Sequence, residues 1–490
     1  MAPGLIDRVS ALLERAAGHP EPEAAGAIGS AIRRMDEPIR VAIAGKVKAG
    51  KSTLLNALVG EELAPTDAGE CTRYVTWYRD GLTYRVTAHM ADGSSAPVPF
   101  HRDGGALEPD LGGRRVDDMS HLEVEWPSRR LRTVTLIDTP GIESISADIS
   151  ARTHRFLGAD DDSPTEADAV VYLMRHMHNS DLRFLESFHD NELAHATPLN
   201  AIGVLSRADE VGACRLDAMR SADRIAGRYQ ADPQLRRLCQ TVVPVAGLLA
   251  EAGCTLTEEE FGRLTTLAGH PAEDVKRLLL SVDRFVAEDP ALSLVPAERE
   301  ELLARLGLYG VRVAVSLIQV GAASTSADLC TELLRRSGIE ALRSVLVDQF
   351  GERSDLLRAR TAMATLDTVL RSHPHPDDDR IEADLERLTA ETHEFTELRL
   401  LNAISQGAIP LPDAEAEELR RLVGGSGFGD RDRLGLSADV PDADLGRMAL
   451  DAMSRWRRRA EHPMTARSAA DAARVAVRSC EGVVTRTART

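Results

Sequence analysis

Arg40-Val41-Ala42-Ile43-Ala44-Gly45-Lys46-Val47-Lys48-Ala49-Gly50-Lys51-Ser52-Thr53-Leu54-Leu55-Asn56-Ala57-Leu58 reads as three pieces in succession. Residues 40–44 are a short apolar run with the character of a buried strand. Residues 45–52 satisfy the phosphate-loop pattern Gly-x-x-x-x-Gly-Lys-Ser, and the residues after them open a helix. Phosphate binding needs that layout. Glycines let backbone N–H groups wrap a β-phosphate, and the helix N-terminus adds the positive end of its dipole. Gly45, Lys46, Val47, Lys48, Ala49, Gly50, Lys51, Ser52 and Thr53 are therefore the candidate phosphate contacts. Lys51 is expected to bridge the β- and γ-phosphates, and the Ser52 hydroxyl to ligate Mg²⁺. Of 59 basic residues only four are lysines, Lys46, Lys48, Lys51 and Lys276, and three of the four stand in this loop.

Two more strand ends carry chemistry. Val134-Thr135-Leu136-Ile137 runs into Asp138-Thr139-Pro140-Gly141, about 90 residues downstream. An acidic residue there holds Mg²⁺ through water in phosphate-loop nucleotidases, and the Gly141 N–H can contact the γ-phosphate. Ala201-Ile202-Gly203-Val204-Leu205 runs into Ser206-Arg207-Ala208-Asp209. The Asp209 carboxylate can accept two hydrogen bonds from guanine N1 and N2, which adenine does not offer. Arg207 can lay its stem and guanidinium over the base face. Ser206, Arg207 and Asp209 thus form the expected base site. Thr241-Val242-Val243-Pro244-Val245-Ala246-Gly247-Leu248 reads as the last core strand, with Ala246 and Gly247 in a loop beside the base. Between the phosphate loop and Asp138, Pro65-Thr66-Asp67-Ala68-Gly69-Glu70-Cys71-Thr72-Arg73 is turn-rich and precedes a strand expected over 75–78. A threonine in that loop can ligate Mg²⁺ only when γ-phosphate is present; Thr72 is the choice and Thr66 the competitor.

Composition removes several classes of function. A net charge of −18 argues against sequence-independent nucleic-acid binding, which needs an excess of Lys and Arg. Cys71, Cys214, Cys239, Cys254, Cys330 and Cys480 show no paired short spacing, so neither a zinc site nor a disulfide framework is expected, and a reducing cytoplasm fits. The most apolar stretch, residues 306–321, falls short of the ~20 apolar residues of a spanning helix.

The flanks read as helical. Leu5, Ile6, Val9, Leu12 and Leu13 make an apolar stripe, and a second helix is expected over 24–35. Residues 337–342 begin a helix that closes the first domain. Further helices are expected around 356–370 and over 380–404, 414–423, 443–460 and 466–485. His373-Pro374-His375-Pro376 reads as an exposed break, and Gly424-Gly425-Ser426-Gly427-Phe428-Gly429 as a flexible tip or linker. The expected fold is an α/β phosphate-loop GTPase domain, mostly parallel with helices on both faces, over 36–350. An all-α bundle built from 1–35 and 351–490 completes it.

Together these residues resemble the dynamin superfamily of large GTPases, and among them the bacterial dynamin-like proteins of actinobacteria. The isoniazid-inducible dynamin-like proteins of mycobacteria look most similar. The resemblance rests on residues 45–52, Cys71-Thr72-Arg73, residues 138–141 and residues 206–209, and it spans roughly 38–350. It implies Mg²⁺-dependent GTP hydrolysis to GDP, with Lys51 and Thr72 as catalytic residues and Ser52, Thr72 and Asp138 as metal ligands; Lys48 is a third catalytic candidate, on a departure from the family pattern. It also implies dimerisation through GTPase domains, peripheral membrane contact on the cytoplasmic side and membrane remodelling. The alternative is a GTP-dependent switch that recruits a partner such as a larger dynamin-like protein. Three departures bear on mechanism. Ile142 follows Gly141 where many switch GTPases carry a water-orienting glutamine. Ser206 and Arg207 replace the usual Asn or Thr and Lys. Val47-Lys48 replaces the Gln-Ser pair that helps dynamins hold a monovalent cation, so the Lys48 ammonium is expected to stand in for that cation. In the bundle, Arg455-Trp456-Arg457-Arg458-Arg459 reads either as a basic run with a tryptophan of the interfacial kind or as a solvated charged helix face.

Overall fold

The computed structural model describes residues 4–65, 74–103, 106–140, 167–178, 180–183, 185, 200–289, 292–351, 353–375, 378–405, 407–437 and 439–488. Two helices lead, α1 (Leu5–Ala16) and α2 (Pro22–Arg34), and then the sheet begins. Its strands are β1 (Ile39–Gly45), β2 (Thr76–Asp80), β3 (Arg85–Met90), β4 (Ser95–Pro97), β7 (Met119–Trp126), β8 (Val134–Asp138), β9 (Ala169–Met174), β10 (Ala201–Ser206) and β11 (Val242–Val245). A separate ribbon pairs β5 (Phe100–Asp103) with β6 (Ala106–Pro109).

The sheet order is β11-β10-β9-β1-β8-β2-β7-β3-β4. From β11 to β8 every pairing is parallel, with Ile43 beside Asp138 and Gly45 beside Leu173. The centre is near-continuously apolar because both faces are covered: every residue of β1, β9 and β10 is buried. One face packs on helix α3 (Lys51–Val59) and the helices after β11, the other on helix Ala218–Ala231. The edge beyond β8 is different. β2 runs antiparallel to β8, and β3 and β4 complete a mixed flank with alternating burial. The sequence reading placed a strand only at β2.

Both chain ends meet in one helical cluster. Val9, Leu12 and Leu13 of α1 and Ile28 of α2 share a core with Met363 and Leu366 of helix Ser354–Ser372, Leu419, Trp456 and Cys480. Arg358 Nη1 fastens the junction by donating to the carbonyls of Met35 and Glu37, each at 2.7 Å. Helices Asp442–Glu461 and Arg467–Thr487 pack along their length as a hairpin.

Four local expectations are corrected. The helix expected over 380–404 is two, Asp379–Glu391 and His393–Ser405, parted at Thr392. Gly247 does not lie in a loop but opens helix Gly247–Thr255. The glycine run at 424–429 is not a free tip. Arg353 donates to the Gly424 carbonyl, Gln240 Nε2 donates to the Gly425 carbonyl at 3.0 Å, and Phe428 lies between the Arg353 and Arg433 guanidiniums, each 4.7 Å from its ring centre. Small residues let those arginines close in. Trp456, finally, is a core residue at 3% exposure, while Arg455, Arg457 and Arg459 pair with Glu418, Glu481 and Glu415. Three of the run's four arginines are thus paired with acids on neighbouring helices. Among the described residues, no helix is long and apolar enough to cross a membrane.

Candidate functional site

The phosphate loop leaves β1 at Gly45. A side chain there would have its Cβ 2.7 Å from the Leu173 carbonyl oxygen, and φ is +150°, so only glycine lets β1 and β9 approach this closely. Lys48, exposed, takes φ +62°, turning the loop so that Gly50 caps α3. The Lys51 ammonium lies inside this curve, donating to the carbonyls of Gly45 at 3.2 Å and Lys46 at 3.3 Å. Carbonyls are neutral acceptors, and a phosphate oxygen is a stronger one for an ammonium. Lys46 turns the other way, its ammonium 3.5 Å from the Asp181 carboxylate, which also accepts from Tyr172 Oη at 2.8 Å.

Ser52, at the start of α3, donates its hydroxyl to Asp138 Oδ2 at 3.3 Å. The parallel register of β1 with β8 brings the two residues together across 86 positions of sequence. A hydroxyl and a carboxylate at this separation are hard oxygen donors of the kind Mg²⁺ takes, and the pair fits that ion. Thr139 Oγ1 anchors the strand end by donating to the Ile43 carbonyl at 2.9 Å. Thr72, Thr66, Gly141 and Ile142 lie outside the described residues.

The base end is a separate cavity of 170 Å³. Ala49, Gly50, Thr53 and Leu54 form one wall; Ser206, Arg207, Asp209 and Glu210 form the other; Gly247 and Leu248 close it. Ala246 stands behind the wall, fully buried, with its N–H spent on the Ser337 carbonyl at 2.8 Å. Val47 belongs to the loop above the cavity without lining it. The Ser206 hydroxyl is buried and makes no hydrogen bond among the described residues. Burial pushes the Asp209 carboxyl up to about 6, helped by neighbouring Glu210 and opposed by Arg207 and Arg175. A buried hydroxyl without a partner among the described residues, beside a carboxyl whose burial outweighs its backbone hydrogen bond, suits a ligand that offers N–H groups.

Arg207 links the two ends. It adopts φ +51°, pairs with Glu210 at 2.8 Å and donates through Nη2 to the Lys48 carbonyl at 3.2 Å. Two contributors escaped the sequence reading. Glu210 holds both Arg207 and Arg175, and its spacing of three from Arg207 was the available signal. Gly307 breaks helix Pro296–Gln319 at φ +64°, and a Cβ there would come 3.8 Å from Asp209 Oδ2. No local pattern ties Gly307 to Asp209. Behind the loop, Asn56 donates to the Glu251 carboxylate at 2.7 Å and accepts from the N–H groups of Leu63 and Ala64. Burial raises Glu251 to about 7.

The profile of the Dynamin family matches residues 41–207. The isoniazid-induced protein IniC of Mycobacterium tuberculosis is 45% identical over 451 residues, spanning 92% of this chain and 91% of that one. The bacterial dynamin-like protein of Nostoc punctiforme is 30% identical over 164 residues, 30% of this chain and 22% of that one. A solved chain described as part of an oligomerised bacterial dynamin pair superposes with a TM-score of 0.36 at 12% identity, covering 99% of this chain and 75% of that one.

Proposed function

The chain belongs to the dynamin family, among its bacterial dynamin-like GTPases, and on that premise we propose that it binds GTP, hydrolyses it to GDP with Mg²⁺, and serves membrane remodelling or maintenance through paired GTPase domains. The division of labour follows the expected boundaries, a GTPase domain over 36–350 and a bundle from 1–35 and 351–490. One observation carries the reading: a single loop reaches both sites. Its helix end brings Ser52 to Asp138 at 3.3 Å, while its Lys48 carbonyl is held at 3.2 Å by Arg207 beside the Asp209 cavity.

The roles follow from the chemistry of each group. Lys51 gives up two carbonyl oxygens for β- and γ-phosphate oxygens, and the loop N–H groups bind the β-phosphate. Ser52 and Asp138, with Thr72 in the GTP state, hold the metal. Bound there, Mg²⁺ supplies charge neutralisation on the β- and γ-phosphate oxygens. Asp209 accepts from guanine, Ser206 offers the base edge its hydroxyl, and Arg207 covers the base face. Lys48 carries positive charge to the bridge between β- and γ-phosphates. Ile142 has no group to orient water, which supports completion of the site by a second copy.

A second reading keeps the nucleotide site and drops the machine: a switch whose GTP state recruits another dynamin-like protein. The buried Trp456 and the three paired arginines beside it favour it, since they take the tryptophan and part of the positive charge away from a lipid contact. GTP turnover measured against protein concentration, with and without anionic liposomes and with Lys51→Ala as the blank, separates the two. Specific activity that rises with concentration supports paired GTPase domains. Slow activity indifferent to concentration and lipid supports the switch.

A further inference from the structure

The starts of β1 and β8 border a second cavity. At their starts, about 20 Å from the phosphate loop at ~3.3 Å per residue, the structure opens into a hollow of 850 Å³. That volume lies inside the range of sites that enclose small molecules. Its floor is apolar, made by Leu58, Val134, Leu136, Leu346 and Phe350. One wall is the π-helical turn Val347–Gly351, which carries the chain from helix Ile339–Leu346 into helix Ser354–Ser372 of the bundle. Val347 stands at the lip, 63% exposed.

The mouth is cationic. Arg129, Arg130 and Arg132 line it on one short turn, all exposed. Arg129 and Arg130 form no ion pair among the described residues; Arg132 reaches Asp80 at 3.4 Å with 64% of its side chain exposed. Deeper in, Arg343 and Arg358 are engaged by Glu340 and Asp355 and by the carbonyls of Ala57, Met35 and Glu37, and each keeps a buried Nε with no hydrogen-bond partner among the described residues. The acids on this rim are Asp36 and Glu37, and Glu37 is engaged by Arg40 at 2.7 Å. In a chain of net charge −18 such a mouth runs against the overall field, and an apolar floor beneath guanidiniums complements a molecule with an anionic head and a hydrocarbon tail.

We infer that this hollow binds an anionic amphiphile with one long hydrocarbon chain, its head held by Arg129 and Arg130 and its tail on the Leu136–Phe350 floor. The site is distinct from the nucleotide cleft and stands where the sheet hands over to the bundle.

The full-length protein is titrated with cis-parinaric acid, a fluorescent single-chain carboxylate, below its micelle concentration, and in parallel with phosphatidylglycerol vesicles. The expected result is saturable uptake of the monomeric probe. Arg129→Glu combined with Arg130→Glu weakens it at least tenfold, and Val347→Trp, which fills the lip, does the same. The melting temperature and basal GTP turnover stay unchanged in both, and the corresponding long-chain alcohol competes at least tenfold less well. Uptake from vesicles alone, with none of the monomeric probe, overturns the single-chain assignment. Uptake indifferent to both variants, or none from either source, overturns the inference.

Discussion

Asp209 in the nucleotide cleft and Glu397 in the bundle are both buried carboxyls, and they titrate in opposite directions. Burial raises Asp209 to about 6. Burial would raise Glu397 too, but hydrogen bonds from His393, Arg433 and Ser479 outweigh it and hold the group down at about 2. Arg433 grips Glu397 with both Nη atoms, at 2.6 and 3.0 Å, and Ser479 Oγ donates at 2.6 Å. The bundle therefore carries the counter-charges of Glu397, whereas in the cleft the Lys51 ammonium rests on loop carbonyls and the buried Ser206 hydroxyl has no hydrogen-bond partner among the described residues. The difference separates architecture from site: a buried charge completed by the protein holds the fold, and one left incomplete awaits a ligand.

The comparison is broken most severely by Lys51→Ala. It should lower GTP turnover about 1,000-fold, about 4 kcal/mol of transition-state stabilisation, in a phosphate-release assay. The protein should stay folded by circular dichroism, because the Lys51 ammonium donates to carbonyls of its own loop, at Gly45 and Lys46. A folded variant with wild-type turnover would remove the cleft from the account. Next is Arg433→Ala, which strands Glu397 and should cost ~3 kcal/mol or more of stability. Chemical denaturation reads this, and turnover per folded molecule should hold near wild type. Lys48→Ser should lose about 100-fold in turnover, on the scale of one removed oxyanion donor, and recover with added K⁺ or Na⁺. Unchanged activity would make Lys48 a solvated loop charge.

Acid should separate the two carboxyls most gently. On the proposed reading guanine requires ionised Asp209, so affinity for GDP should be flat above pH ~6 and fall about tenfold for each unit below it, as a proton competes one-for-one. The stability that Glu397 contributes has the other window. Its folded value is depressed, so the contribution is present above the unfolded carboxyl range near 4.5 and is lost as pH falls through that range towards 2. Titrating GDP affinity and circular dichroism together between pH 7 and 4.5 should weaken binding while the bundle stays intact. Loss of both at one pH would erase the contrast.

What the sequence made legible was whatever sits close in sequence to a strand end. β1 with its loop and α3, the Asp138 end of β8 and the Ser206–Asp209 end of β10 all stand where apolar runs and motif residues put them. The flank from β3 to β7 was not read, because its strands alternate on a half-covered surface and lack a continuous apolar run. Gly307 was invisible for a different reason: its role beside Asp209 exists only once helix Pro296–Gln319 packs across the base site. The glycines at 424–429 read as linker by composition, yet smallness there admits Arg353 and Arg433. Trp456 misled in the same manner, since helical period turns it inward while its basic neighbours meet acids on other helices.

The central claim is that the cavity beside Arg207 receives a guanine read by Asp209. Displacement of a fluorescent GDP by GDP, ADP and XDP, in the wild type and in Asp209→Asn, tests it at the atom concerned. An asparagine amide can donate to the xanthine C2 carbonyl and no longer accepts as a carboxylate does from guanine. The account predicts that the wild type prefers GDP over ADP and XDP by at least 100-fold, and that Asp209→Asn loses GDP while gaining XDP. Equal displacement by ADP and GDP in the wild type, or a GDP affinity untouched by Asp209→Asn, would contradict it.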